Sequence, residues 1–178
     1  MTASNSRAYV AFADGRFNEA VAAWRTSGEL NLGTAVNALA MAGHAALLGG
    51  DLDAARALRA ALEATGIHGP APDADRLALD AGIAALAGRT DEALGLYRQA
   101  ARAYQDPGLE WDETLAGLEM TVLLGTDSEA VRAVAERTRA TLVRLRAIPI
   151  LAQLDLAMAQ SPRHVAPAAQ EPVEAPAR

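Results

Sequence analysis

A six-residue pattern recurs four times along the chain. A repeat at a near-constant period constrains the fold more than any local motif does. Gly15-Arg16-Phe17-Asn18-Glu19-Ala20 aligns with Gly50-Asp51-Leu52-Asp53-Ala54-Ala55 and with Gly88-Arg89-Thr90-Asp91-Glu92-Ala93. The fourth copy is Gly125-Thr126-Asp127-Ser128-Glu129-Ala130. Gly leads Ala by five residues each time, and successive glycines lie 35, 38 and 37 positions apart. The unit reads as helix, tight turn, helix. Glycine accepts the left-handed backbone that ends the first helix. A short polar or acidic residue behind it caps the second, and acids in that first turn suit the helix dipole. The Ala sits where the two helices cross, because a larger side chain would hold them apart.

Apolar residues keep helical spacing on both sides of the glycines. Leu39, Ala42, Ala46 and Leu47 precede the second turn, and Leu52, Ala55, Leu58 and Leu62 follow it. Around the third turn Leu79, Ile83 and Leu86 give way to Ala93, Leu96, Tyr97 and Ala100. The pattern predicts first helices near 4–13, 34–49, 73–87 and 109–124, and partners near 17–27, 51–65, 90–105 and 128–147. Gly69-Pro70-Ala71-Pro72 reads as a lengthened loop, and Pro149 as the break that ends the last partner. A ninth helix at about 150–159, with Ile150, Leu151, Leu154, Ala157 and Met158 on one face, is expected to cover the last unit. About a quarter of the residues are Ala and only 4% are aromatic, which favours helix over strand. The expected architecture is all-α, with one helical domain over 1–160. Residues 161–178 hold four of the eight prolines and read as a disordered Pro/Ala-rich tail.

With these residues the chain resembles the tetratricopeptide repeat (TPR) family over roughly 4–148. The strongest matches are Gly15-x-Phe17-x-x-Ala20-x-x-x-Trp24 and the stretch from Gly88 to Ala100, with Ala93, Tyr97 and Ala100 at packing positions. The family's small residue midway along the first helix corresponds to Ala8, Gly43 and Ala81, whereas the last unit carries Leu118. The run from Leu94-Gly95-Leu96-Tyr97-Arg98 through Gly108-Leu109-Glu110-Trp111-Asp112-Glu113 to Leu123-Leu124-Gly125 is similar to the C-terminal TPR region of large bacterial signalling proteins. Those are ATPase-type transcriptional regulators and nucleotide cyclases. The resemblance implies a solenoid of about four helix pairs that binds a protein, and the narrower one a regulatory segment of a larger polypeptide.

Composition removes several chemistries. The chain has no Cys, which leaves no thiol nucleophile and no disulfide or Cys-based metal site. Its 22 acidic residues outnumber 16 basic ones, all Arg, so a bulk nucleic-acid footprint is not expected. The most apolar stretch, Thr34 to Gly49, is short for a membrane span and contains Asn37 and His44. No signal peptide is visible at the start, so the cytoplasm is the expected compartment. His44, His68 and His164 show no metal-ligand spacing. Asp73, Asp75 and Asp80, and then Glu110, Asp112 and Glu113, crowd predicted helix starts, where dipoles and free N–H groups attract carboxylates. Arg132, Arg139 and Arg146 form one stripe of the last partner helix and Arg137 and Arg144 another, flanking Val131, Val134, Leu142 and Leu145. No Gly-rich phosphate loop or Gly-x-Ser-x-Gly elbow occurs. No enzyme, cofactor or metal is expected.

The expected function is therefore to hold a partner peptide or helix in a concave groove lined by the first helices. Its predicted lining is Asn5, Tyr9, Phe12, Asn37, Met41, His44, Asp75, Leu79, Asp112, Leu115 and Glu119. Tyr9, Val10 and Phe12 lie close to the start of the array, where a free-standing solenoid keeps a polar cap. The face around them is expected to meet a preceding domain or a second copy, as a homodimer through the N-terminal helices.

Overall fold

The computed structural model of the protein describes residues 3–30 and 34–160. Among these residues the chain forms nine α-helices and no strand, so the all-helical expectation holds. They are α1 (Ala3–Ala13), α2 (Phe17–Leu30), α3 (Ala35–Gly49), α4 (Leu52–Ala64), α5 (Pro70–Leu86), α6 (Thr90–Gln105), α7 (Glu110–Leu124), α8 (Glu129–Leu145) and α9 (Ile148–Ala159). Each helix packs against the next, and α3 also packs on α5 and α5 on α7. The segment 161–178, read from sequence as a tail, lies outside the described residues.

The repeat signal corresponds to real turns. Gly15, Gly50 and Gly88 have φ of 73°, 76° and 76°, the left-handed region an L-residue enters only at a cost. In each case the next helix starts two residues later. Asp51 caps α4 by accepting from the Ala54 amide at 2.9 Å. Ala20, Ala55 and Ala93, each fully buried, stand where bulk would part the helices. The fourth copy departs from the alignment. Gly125 has φ 69° but ψ 178°, and α8 starts only at Glu129, behind a Ser128 cap that accepts from the Val131 amide at 3.2 Å. This longer turn shifts the register by one residue, so Val131 is buried and the aligned Ala130 only half-buried.

Two proline expectations also change. Pro70 and Pro72 belong to the first turn of α5, where a missing N–H removes no helical hydrogen bond. Pro149 likewise sits in the first turn of α9. What ends α8 is Arg146, which takes the left-handed conformation at φ 55° and ψ 33°.

The inner helices approach closely because small residues face leucines. Leu79 of α5 fills the space over Gly43 of α3, and Leu47 of α3 fills the space over Gly82 of α5. A Cβ on Gly43 would lie 2.6 Å from Leu79 Cδ2, and one on Gly82 would run into both Leu47 δ-carbons. The same packing brings α3 against α7. At the far end α9 buries Ile150 and Leu154, and its Gln153 amide donates to the carbonyls of Phe12 (3.0 Å) and Ala13 (2.9 Å) at the end of α1. One apolar core thus runs from Ala8 and Phe12 in α1 through Leu47, Leu79 and Leu115 to Leu154 in α9. The array closes on its own inner face.

Substituting Gly82→Ala should destabilise the fold by about 1–3 kcal/mol in denaturant melts, since the added methyl overpacks a buried seam. Gly95, inside α6 with nothing within 4 Å of its missing Cβ, is the control. Gly95→Ala should stabilise by up to about 1 kcal/mol through helix propensity alone.

Candidate functional site

Closure of the inner face decides the fate of the predicted groove. Phe12, Met41, His44, Asp75, Leu79, Leu115 and Glu119 are all buried, none more than 7% exposed, so they do not line an open groove. The physical reason is the short separation of α3, α5 and α7 together with α9 across the end. Side chains that a wider superhelix would show to a partner here meet one another. Asn5, Tyr9 and Asp112 remain half-buried and Asn37 exposed. Asn5 already accepts from Trp24 Nε1 at 3.2 Å, and Tyr9 stacks edge-on against the same indole with ring centroids 5.3 Å apart.

The polar members of that set form a buried network. His44 Nδ1 lies 2.6 Å from Glu119 Oε1, a charge-assisted hydrogen bond between α3 and α7. Its Nε2 is 3.9 Å from Asp75 Oδ1, within ion-pair range but too long for a hydrogen bond. Asp75 accepts from the Tyr104 hydroxyl at 2.8 Å, which ties α5 to α6. Burial opposes a charge on His44, but Glu119 and Asp75 outweigh it and lift the imidazole pKa to about 10, so it is an imidazolium at neutral pH. Burial holds the Glu119 carboxyl above its ordinary value, and burial and the Asp75 charge do the same for Asp112. Burial raises Tyr9 too, with Asp112 adding to it. Within and beside this network, Glu119 Oε2 and the Tyr97 hydroxyl have no hydrogen-bond partner among the described residues. The network joins four helices and presents no nucleophile to solvent.

Several of the other acidic and basic groups do structural work. Asp73 accepts from the Gly69 amide at 3.1 Å at the start of α5 and pairs with Arg76 at 2.9 Å. Arg76 is itself buried and donates to the carbonyls of Ile67 (2.7 Å) and Leu62 (3.2 Å), pinning the loop between α4 and α5. Asp80 takes the Arg59 guanidinium at 3.0 and 3.1 Å. Glu110 pairs with Arg144, and Glu113 accepts from Gln105 Nε2 at 2.6 Å. Arg139 pairs with Asp155 of α9 at 2.9 Å. His68 is exposed, 3.0 Å from Asp73, and His164 lies outside the described residues. Among the described residues no group of three or more His, Asp or Glu is arranged to hold a metal, and no helix is long and apolar enough to cross a membrane.

A larger opening lies on the other side of α7, apart from a smaller one of about 300 Å³ between Leu48, Val122 and Leu156. A cleft of about 510 Å³ runs between α6 and α8 with α7 as its floor. Tyr97, Ala116, Gly117, Met120, Val134 and Thr138 line its base, and Arg98, Arg102 and Arg137 its edges. Its volume falls in the range of ordinary binding pockets. The base is shallow because α7 and α8 nearly touch: a Cβ on Gly117 would run into Thr138 Oγ1. Sequence reading weighed Arg137 only as part of a flanking stripe and passed over Arg98 and Arg102. The available signal was their i, i+4 spacing on α6 opposite the small residues Ala130, Ala133 and Thr141 of α8.

Compared with protein-family models, curated proteins and solved structures, the chain shows no significant match.

Replacing His44 with Leu strands Glu119 as an unpaired buried charge and should cost about 3–5 kcal/mol. His44→Leu combined with Glu119→Leu should recover most of that loss, and a double-mutant cycle by chemical denaturation measures the coupling. The pH dependence follows from the raised imidazole. A His pKa lifted from 6.5 to about 10 on folding contributes stability that is complete below about 6.5 and drains as pH climbs through 10. The raised Glu119 and Asp112 carboxyls act in the same sense at lower pH, since the unfolded chain ionises them first. Melting temperature should therefore decline from near-neutral pH toward pH 10, and the paired-leucine variant should flatten that decline.

Proposed function

We propose that the chain is a TPR-like array of helix pairs acting as a non-catalytic protein–protein interaction module, and that its docking face is the outer cleft between α6 and α8. Support for the array comes from three left-handed glycine turns followed at once by a helix whose fully buried Ala meets its neighbour. The observation that carries the docking face is the contrast between the two sides of α7. Its inward side packs on α3 and α9 and leaves a smaller opening of about 300 Å³ near its C-terminal end, beside Leu48, Val122 and Leu156. Its outward side floors a cleft of about 510 Å³ edged by small side chains. A partner helix or peptide laid there meets the small side chains of Ala101, Ala130, Ala133 and Thr141, which allow backbones to come close, with Val134 for apolar contact. The His44 network serves this role indirectly by holding α3, α5, α6 and α7 together under the cleft.

A second reading, a regulatory segment contacting another domain of a larger bacterial signalling protein, is favoured by the corner between α8 and α9. Val143, Leu145 and Ile148 are 51%, 41% and 71% exposed there, more apolar surface than single scattered residues account for.

The test is selection of peptide ligands on the full chain by display, followed by titration against Ala133→Trp. Ala133 is exposed on the cleft wall, so the indole fills the opening without entering the core. Ligands should be recovered and should lose most of their affinity for the filled variant. Ligands indifferent to Ala133→Trp, or no ligand above background, would overturn the assignment.

A further inference from the structure

The edges of the α6–α8 cleft carry an unbalanced charge. Arg98 and Arg102 are one turn apart on α6, and Arg137 stands on α8 on the other side. All three are exposed. Their guanidinium groups make no hydrogen bond or ion pair, a condition they share with Arg7, Arg25, Arg132 and Arg146 among the described residues, but only these three meet around one cleft. The two carboxylates on the same rim are taken: Glu110 by Arg144, and Glu113 by the Gln105 side-chain amide at 2.6 Å. The cleft therefore offers three free guanidinium groups around an apolar base, on a chain whose net charge is -6. That local reversal of sign attracts an anionic partner.

Size and floor chemistry narrow the occupant further. The lining runs from Tyr97 to Gln105 on α6 and from Ala130 to Thr141 on α8. At 1.5 Å per residue these stretches measure about 12–17 Å, roughly three turns of a helix. The walls present the small side chains of Ala101, Ala130, Ala133 and Thr141, between which a helical backbone can come close. Carboxylates on the flanks of that helix would reach the guanidinium forks on both sides, a pairing whose geometry suits Arg better than any other cation.

Resting on the docking face assigned above, we infer that the cleft takes an amphipathic helix with a small or apolar contact face and acidic flanks, held by Arg98, Arg102 and Arg137. The acidic character of the whole chain thus acts as a filter, since basic helices are drawn elsewhere on its surface and only the cleft rewards acidic ones.

The experiment titrates the full chain with two synthetic amphipathic helices of about sixteen residues, identical on an Ala/Leu face and carrying either Glu or Lys on both flanks. Binding is followed by fluorescence anisotropy at low and high salt, with dodecanoate as a third probe. The Glu peptide should bind, weaken steeply with salt, and lose about tenfold or more in affinity to Arg98→Glu combined with Arg102→Glu. The Lys peptide should gain affinity for the same charge-reversed protein, whose unchanged melting temperature checks its fold. Equal binding of both peptides to the unaltered chain, abolished by Ala133→Trp, would overturn the acidic specificity while leaving the docking face standing. Failure of both peptides to bind would overturn both. Dodecanoate bound in the cleft with no peptide binding would overturn the helix and assign the site to a small amphipathic anion.

Discussion

The reciprocal packing of Gly43 under Leu79 and of Gly82 under Leu47 sets the distance between α3 and α5, and the rest of the molecule follows from that distance. Helices that meet across glycine come closer than helices that meet across larger side chains, because the backbone itself forms the contact surface. His44 neighbours Gly43 and Asp75 stands one turn before Leu79, so the same close approach brings an imidazole and two carboxylates together. With α3 and α5 this near, α7 reaches α3 directly and the space between the inner helices becomes core.

A buried imidazolium between carboxylates is not a cheap way to hold helices together, and an apolar substitute of equal volume often does as well. What the pair adds is specificity of register. Glu119 is satisfied only when α7 sits one way against α3, and Asp75 fixes α6 through the Tyr104 hydroxyl. Alternative slides of the helices would leave a buried charge alone, which costs far more than a displaced methyl group. The network thereby steadies the floor of the outer cleft, whose shape depends on where α7 lies between α6 and α8.

Inner and outer sides consequently divide the polar residues. Inside, the Asp75 and Glu119 carboxyls converge on the buried imidazole of His44. Outside, some arginines bridge neighbouring helices, as Arg139 does to Asp155 and Arg59 to Asp80, and Arg98, Arg102 and Arg137 stand free around the cleft. This division is the basis for placing partner recognition on the outer face of the second half of the chain, where open volume and unpaired charge coincide.

Much of the helical framework was legible in the sequence because it rests on local physics. A glycine that must turn left-handed, an alanine five residues later and apolar residues at helical spacing are satisfied within one hairpin, so they leave a readable pattern at Gly15, Gly50 and Gly88. The fourth turn was misaligned for the same reason: Gly125 keeps the spelling of the motif while its ψ of 178° and the Ser128 cap change the geometry. The candidate site was not legible in this way. His44, Asp75, Asp112 and Glu119 were chosen as chemistry-bearing residues of the inner helices, but whether those helices enclose a groove or a core depends on their separation. That separation is set by contacts such as Gly82 with Leu47 and Gln153 with the end of α1, between residues far apart in the chain. Local spacing determined the helices and their turns. Only tertiary packing decided that the inner face would close and the outer cleft stay open, because distances between non-neighbouring helices are fixed by side-chain volume and not by the period of the repeat.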